Sequence, residues 1–458
     1  DVNKYTQMAM ADSMENGTGA GNMAGNVAGM QMGMMMGQQM VNQMNNGSSQ
    51  NSNNNAQQSE NSLNGIVPKF CPNCGTKMDG SVNRVLDSAA GITGSIADKI
   101  NAFTGGDGQV ELKMRDLFSQ AFKSHTRSEA ESIFACGSAT TTPLPEDISK
   151  EWPKPWYFVR VFGVLALTTV ALYLMYVNFN NFNMFPGLIF VSSLAGAIPV
   201  LFFYFECNSP RNIDIMSVIE IFFLGGVLSL LLTLIIGVIF PGGTGELIPS
   251  MTTGLVEEVG KVLATAYFIQ KFKDKRYILN GLLIGGAVGA GFAVFETAGY
   301  VFQSALIPFN YEGVTTLLFN PNPTSPLSTA ILRGFLAFGG HVAWAAVTGA
   351  GLMIVLKNQK VFSWSAIWSG ESLRFLILVI ILHGLWDMDF VSLPVDNQGN
   401  LIATVEQISH AQMIEYLQYG SLAILVWIII LVIINRGLKE INAITKESNT
   451  LRLNERGQ

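Results

Sequence analysis

The stretch Gly254-Leu255-Val256-Glu257-Glu258-Val259-Gly260-Lys261-Val262-Leu263-Ala264 sets two carboxylates and an ammonium in the middle of an apolar run that extends over 247–270. Such a run has the length, about 20 residues, that crosses a bilayer core. Each charge within it costs at least about 2.5–3.5 kcal/mol on insertion scales, so residues of this kind mark a function. The pattern recurs downstream. Phe295-Glu296-Thr297-Ala298-Gly299-Tyr300, His341 and His383-Gly384-Leu385-Trp386-Asp387 each interrupt a further apolar run. The predicted fold is all-α: a polytopic membrane helical bundle of about eight transmembrane helices, with polar side chains inside it.

Composition agrees. Of the 458 residues, 49% are hydrophobic and 13% charged, against about 25% charged in a soluble protein. The chain divides near Trp156, polar and Gly/Asn/Met-rich before it, apolar after it as far as Asn435. A net charge of −6 with no long basic stretch excludes nucleic acid as a partner. The first residues lack the apolar core of a signal peptide. The chain begins with Asp1 rather than Met, which leads us to expect an upstream part.

Residues 1–65 form a low-complexity Met/Gly/Asn/Gln-rich tail with too few branched and aromatic residues to offset its ordering entropy, and we expect it to be disordered. Its Met run, Met32 through Met36, is alternatively a soft-metal or hydrophobic contact site. The tail resembles the Met/Gly-rich extensions that follow stomatin/prohibitin-like scaffold domains, which suggests a scaffold partner for this region. Residues 66–80 hold Cys71-Pro72-Asn73-Cys74-Gly75, a half zinc-ribbon knuckle. Its Cys-x-x-Cys spacing lets two thiolates share one tetrahedral zinc, but four ligands are needed and no second pair follows. A half-site completed elsewhere, a metal-free remnant and a redox pair stay open. In a cytoplasmic setting the thiols are kept reduced, which favours metal over disulfide. Residues 81–155 read as short helices over 81–103 and 110–136, with Ser128 and Glu131 as a capping box, His125 as a solvated surface residue, and a Pro-bearing linker from Thr141 to Pro155.

The membrane domain, 156–436, contains apolar spans at 156–177, 187–205, 217–240, 247–270, 278–303, 330–356, 370–390 and 417–435. Lys and Arg alternate strictly between the connections. Lys150, Lys154, Arg160, Arg211, Lys271, Lys273, Lys275, Arg276, Lys357, Lys360, Arg436 and Lys439 fall on one side, while 178–186, 241–246, 304–329 and 391–416 contain none. By the positive-inside rule both termini, including the tail 437–458, are cytoplasmic in the cell membrane.

Topology converts position into depth. At 1.5 Å per residue Glu257 lies ~15 Å below the outer surface, Glu296 ~10 Å, His341 ~16 Å and His383 ~10 Å, with Asp387 one turn shallower. Four helices therefore aim polar groups into one layer. Lys261 shares a helix face with Glu257 at i,i+4 and neutralises a carboxylate otherwise too costly to bury; Glu258 points about 100° away. Tyr300 is i,i+4 from Glu296 and positioned to orient it or to donate to an oxyanion. Asp387 is i,i+4 from His383, to fix its tautomer or to share a metal with it. Gly281, Gly285 and Gly289 make a small-residue packing face. Trp344 and Trp386 read as packing aromatics, and Arg333 and Glu371, near helix ends, as snorkelling side chains.

As an ordered set, Glu257-Glu258-x-x-Lys261, Phe295-Glu296-x-x-x-Tyr300, His341-x-x-Trp344 and His383-Gly384-x-Trp386-Asp387 resemble the PrsW family of intramembrane proteases, related to the CAAX-type membrane peptidases. The run Tyr204 to Asn212 is also similar, and the resemblance covers roughly 155–435. It implies site-1-type cleavage of a single-pass membrane protein, such as an anti-sigma factor, near the extracytoplasmic side. On that expectation Glu257 or Glu258 is the general base, and His341 and His383 either stabilise the oxyanion or hold zinc with Glu296. The metal-free version is preferred at this stage. The rival readings are a transporter or proton-coupled channel built on the same buried cluster, and a catalytically silent scaffold. No inverted repeat supports the transporter.

Overall fold

A computed structural model describes residues 81–179, 181–311, 314–319, 324–357, 359, 362–396 and 402–456. The expected tail over 1–65 and the Cys71/Cys74 knuckle lie outside them. Three helices come first: α1 (Ser81–Phe103), α2 (Met114–Leu117) and α3 (Arg127–Phe134). The apolar part follows as α4 (Tyr157–Phe179), α5 (Phe185–Cys207), α6 (Ile215–Ile239, with a π-helical turn at Ile221–Gly225), α7 (Leu247–Lys271) and α8 (Ile278–Gln303). An antiparallel hairpin, β1 (Leu306–Tyr311) and β2 (Val314–Phe319), leads to α9 (Thr324–Leu336), α10 (His341–Leu356), α11 (Gly370–Trp386) and α12 (Val405–Arg456).

Among the described residues six segments are long and apolar enough to cross a membrane: α4, α5 with its preceding turn, α6, α8, the α9–α10 pair and α12. The count of eight is therefore reduced to six on length and apolarity alone. The two that fall short, α7 and α11, are helices at the expected places. Glu257, Glu258 and Lys261 break the apolar character of α7, and α11 has 17 residues.

Glycine decides what lies at the centre. The apolar stretch of α8 is 94% buried, that of α4 only 6%. A Cβ at Gly281 would strike the Gly349 carbonyl oxygen, at Gly285 that of Ala345, and at Gly289 that of His341, so the predicted small-residue face lets α8 and α10 touch backbone to backbone. On the periphery Val164, Leu167, Leu234, Val238 and Ile239 stand exposed, an apolar surface suited to lipid.

Polar groups tie the helix ends. The Glu206 carboxylate, at the end of α5, accepts the backbone N–H groups of Trp156, Tyr157 and Phe158 at 2.8–2.9 Å, capping α4 from another helix. Asn280 donates to Asn208 (2.9 Å) and Asn212 (2.7 Å) and accepts from Asn212 and from the Tyr277 N–H, a buried knot joining α8 to the α5–α6 turn.

The N-terminal segment differs from its sequence reading in three respects. The box that caps α3 is Thr126 with Glu129, because Thr126 is the last extended residue; Glu131 pairs instead with Arg127 at 2.9 Å. His125 is not solvated. Its ring stacks on Trp156 at 3.8 Å, and Nε2 hydrogen-bonds the Gln120 carbonyl, where the segment docks on α4. Residues of the expected linker, Ile148 and Trp152, are buried in the same core as the membrane helices. At the other terminus, 437–456 continues α12 as helix, with Leu438, Ile441 and Thr445 buried. The hairpin is a further element that the sequence reading did not contain.

Candidate active site

Small residues also bring α7 onto α11. A Cβ on Gly254 would lie 2.9 Å from the Ile380 carbonyl oxygen and 3.3 Å from His383 Cβ, and Gly384 faces Met251. One turn beyond Gly254 comes Glu258. Its Oε1 accepts from His383 Nδ1 at 2.8 Å and from Lys261 Nζ at 2.8 Å. Lys261 Nζ also reaches Glu257 Oε2 and His341 Nδ1, both at 3.0 Å, and lies 4.0 Å above the Phe292 ring. Three ammonium protons thus meet three acceptors in a fully buried place.

His341 enters from a break in the membrane segment. Helix α9 ends at Leu336 and α10 starts at His341, with Gly339 and Gly340 in the gap; Trp427 Nε1 donates to the Phe338 carbonyl there at 2.8 Å. A break of this kind is tolerated at membrane depth where protein satisfies the freed backbone. Gly289, two turns before Glu296 on α8, receives the His341 backbone. The imidazole Nε2 then meets Glu296 Oε2 at 2.8 Å.

Each imidazole is gripped by a carboxylate on the ring nitrogen remote from Glu257, and His383 has a second carboxylate, Asp387, beside its other nitrogen. A carboxylate can only accept, so His383 is protonated at Nδ1 and His341 at Nε2. The remaining nitrogens turn toward Glu257: His341 Nδ1 lies 3.8 Å and His383 Nε2 3.7 Å from Glu257 Oε2. Asp387 Oδ2 is 3.3 Å from His383 Nε2. Trp344 stacks on the His383 ring at 4.3 Å and Trp386 packs edge-on against Trp344 at 5.5 Å. Trp344 thus touches the cluster itself, and Trp386 backs it.

Glu258, Lys261 and His383 are closed off, whereas the Glu257 side chain is 14% exposed and the Glu296 side chain 20%. The two adjacent glutamates have parted as the 100° rotation between neighbours requires. Tyr300 makes no hydrogen bond to Glu296 among the described residues; the Arg333 guanidinium lies 4.1 Å above its ring. Arg333 does not snorkel to an interface either. Nη2 pairs with Glu296 at 2.7 Å and Nε with Thr297 Oγ1 at 3.2 Å, because α9 packs beside the end of α8.

The turn that carries Asp387 is clamped from three sides. Gly245 N and Ser250 Oγ donate to the Asp387 carbonyl at 2.8 and 3.0 Å, and Gln418 Nε2 donates to the carbonyls of Leu385 (2.5 Å) and Met388 (2.8 Å). Asp389, beside it, has its carboxyl raised by burial. Sequence reading took Arg333 for a snorkelling side chain and missed Gln418 and this clamp. A lone Arg within an apolar segment was the available signal for the first; backbone carbonyls leave none for the others.

One donor atom from each of Glu257, His341 and His383 lies within 4.8 Å of the other two. In a tetrahedral zinc site with bonds of about 2.0–2.1 Å the donors stand roughly 3.4 Å apart, close to the 3.7 and 3.8 Å separations from Glu257 Oε2. Glu296, the carboxylate expected in this role, instead sits on the far side of the His341 ring, and Glu257 takes its place.

Residues 215–417 match the sequence model of the PrsW family intramembrane metalloproteases, a span that contains all four motifs and excludes the Tyr204–Asn212 run. No curated protein and no solved structure matches the chain. The ordered membrane carboxylates and imidazoles are gathered into one cluster within the matched span, and residues 215–417 thus carry a domain of the PrsW family, whose description is that of intramembrane metalloproteases.

Proposed function

We propose that this chain hydrolyses a peptide bond of a single-pass membrane protein, with Glu257, His341 and His383 as the ligands of a catalytic zinc ion. The observation that carries the reading is the double lock on the imidazoles. Glu258 holds His383 and Glu296 holds His341, each by the ring nitrogen that faces away from Glu257. Carboxylate–histidine pairs of this kind orient metal-ligating imidazoles and raise their basicity, and two His with one carboxylate is an established catalytic zinc set. Zinc in such a set polarises a carbonyl and lowers the pKa of bound water toward 7. The chain's own residues do the rest. Lys261 balances the charge of Glu257 and Glu258, Trp344 covers the His383 ring against water, and Asp387 is the remaining carboxylate open to the same space, placed to take and return a proton.

A second reading has its own observation. Lys261 Nζ already stands 3.0 Å from both Glu257 and His341, which suits a metal-free enzyme in which Glu257 activates water and the imidazoles stabilise the oxyanion. Purified protein cleaving a single-pass substrate decides between them. The zinc reading expects about one zinc per chain, loss of cleavage with a chelator and recovery with zinc; unchanged cleavage by metal-stripped protein would leave the glutamate version.

The positive-inside pattern supports termini in the cytoplasm of the cell membrane and a cluster near the outer leaflet, since Lys271, Lys273, Lys275 and Arg276 follow the end of α7 remote from Gly245 and Asp387. Anti-sigma-type substrates rest on the family resemblance alone. A scaffold partner for the region before residue 81 rests on composition.

A further inference from the structure

We infer that Arg333 is a positioning residue of this site, acting through Glu296 to hold the His341 ring in the orientation that turns Nδ1 toward Glu257. The inference rests on the peptidase reading above and goes beyond its motifs, none of which includes α9. Three contacts fix the guanidinium to consecutive turns at the end of α8: Nη2 to Glu296 Oε2 at 2.7 Å, Nε to Thr297 Oγ1 at 3.2 Å, and the Tyr300 ring 4.1 Å beneath. The same oxygen, Glu296 Oε2, receives His341 Nε2 at 2.8 Å. Arginine, carboxylate and imidazole thus form one line, and the carboxylate at its middle has no freedom to leave the ring while the arginine holds it.

The local chain makes that line mechanically sensible. Arg333 lies eight residues before His341, on the short helix that precedes the Ala337–Gly340 break. Helix α9 is seated on α5, where Gly196 meets the Gly334 backbone, and Arg333 adds the side-chain tie to α8. One residue therefore links the helix that leads into His341 to the carboxylate that grips its ring. Arginine suits the task through its planar fork of fixed donors, which a lysine ammonium lacks. The Tyr300 face offers a cation–π surface that shields the charge at membrane depth. Tyr300 is in this respect a support for Arg333.

The test is a double-mutant cycle on full-length protein in detergent or nanodiscs, with Arg333→Met, Arg333→Lys, Glu296→Gln and Arg333→Met/Glu296→Gln. Cleavage of a single-pass substrate gives kcat and KM, and chelator competition gives zinc affinity. Removing the partner of a metal-ligating histidine costs about 10–100-fold. Arg333→Met should lower kcat by a factor in that range, leave KM within about twofold, and weaken zinc binding in parallel. Arg333→Lys should recover part of the loss, and the double variant should be no worse than Glu296→Gln alone, because the two side chains act in series. Losses that multiply in the double variant would overturn the inference, as would a rise in KM at constant kcat, which would make Arg333 a substrate-binding group. If Arg333→Met does not fold, the Lys variant with Glu296→Gln still reads the coupling. Wild-type protein that neither binds zinc nor cleaves would instead sink the peptidase reading itself.

Discussion

Two buried polar clusters sit near opposite ends of α8, about 24 Å apart at 1.5 Å per residue, and they have opposite character. At the start of the helix, Asn280 with Asn208 and Asn212 forms a closed set: the amides bond to one another and to the Tyr277 N–H, and none of their buried atoms lacks a partner among the described residues. Near the far end, the cluster around Glu257 is open. The buried Glu258 Oε2 has no hydrogen-bond partner among the described residues, and Glu257 Oε2 stands 3.7–3.8 Å from two imidazole nitrogens, too far for a hydrogen bond, while those nitrogens have closer neighbours in Lys261 Nζ at 3.0 Å and Asp387 Oδ2 at 3.3 Å. Buried polarity alone therefore does not mark a site. A satisfied network holds a fold in register, whereas donor atoms held apart around a common space, at a cost in stability, belong to chemistry.

The largest expected effect tests whether the open cluster is asymmetric as well. Glu257→Gln should lower cleavage by about 10²–10⁴-fold, the range for losing a group that meets the reacting atoms. Glu258→Gln, which loosens only the grip on His383 and Lys261, should cost about 10–100-fold. Equal losses in kinetic assays of the two variants would erase the distinction between the exposed and the enclosed glutamate. Next comes the glycine face that joins the two clusters. Gly285→Ala drives a methyl into the Ala345 carbonyl and should cost roughly 1–3 kcal/mol of stability, with cleavage falling too because His341 moves with α10. A lowered melting temperature with full activity per folded molecule would show that α10 repacks without disturbing the site.

The closed cluster should respond in the other way. Asn280→Ala strands the Asn208 and Asn212 amides and should cost about 1–3 kcal/mol, read as thermal unfolding in detergent, while kcat of the folded fraction stays unchanged. A fall in kcat would mean that the two clusters communicate along α8. Smallest is Glu206→Ala, which uncaps α4. By analogy with an N-cap it should cost about 0.5–2 kcal/mol, without a change in KM. Because only 6% of the apolar stretch of α4 is buried, a large kinetic effect there would contradict the arrangement of the bundle.

Much of this was legible because the membrane makes charge conspicuous. Glu257, Glu258, Lys261, Glu296, His341 and His383 each interrupt an apolar helix, and helical arithmetic put them in one layer before any coordinates. The glycine face was equally readable, from a four-residue repeat. What sequence could not supply was which atoms meet. Glu257 and Glu258 are indistinguishable as letters, and only the approach of α11 at Gly254 assigns His383 Nδ1 to the second of them. Glu296 was expected beside both imidazoles, yet it lies behind one, a matter of helix rotation that period and depth do not fix. Arg333 was misread because proximity to a helix end is the usual setting for snorkelling, and the partner that holds it is 37 residues away on α8. The capping box slipped by two residues since Thr126 and Ser128 both offer the right spacing, and backbone dihedrals alone choose between them.

The gap between α9 and α10 has a consequence for how this protein can vary. Inserting or deleting one residue among Ala337–Gly340 would turn the following imidazole by about 100° and carry it away from its partners. Among the described residues, the connection between α8 and α9, which includes the hairpin, contributes none of the side chains gathered around Glu257, and it can change length without that penalty. Length polymorphism among natural variants should therefore concentrate in 304–323 and be missing from the four positions that precede His341.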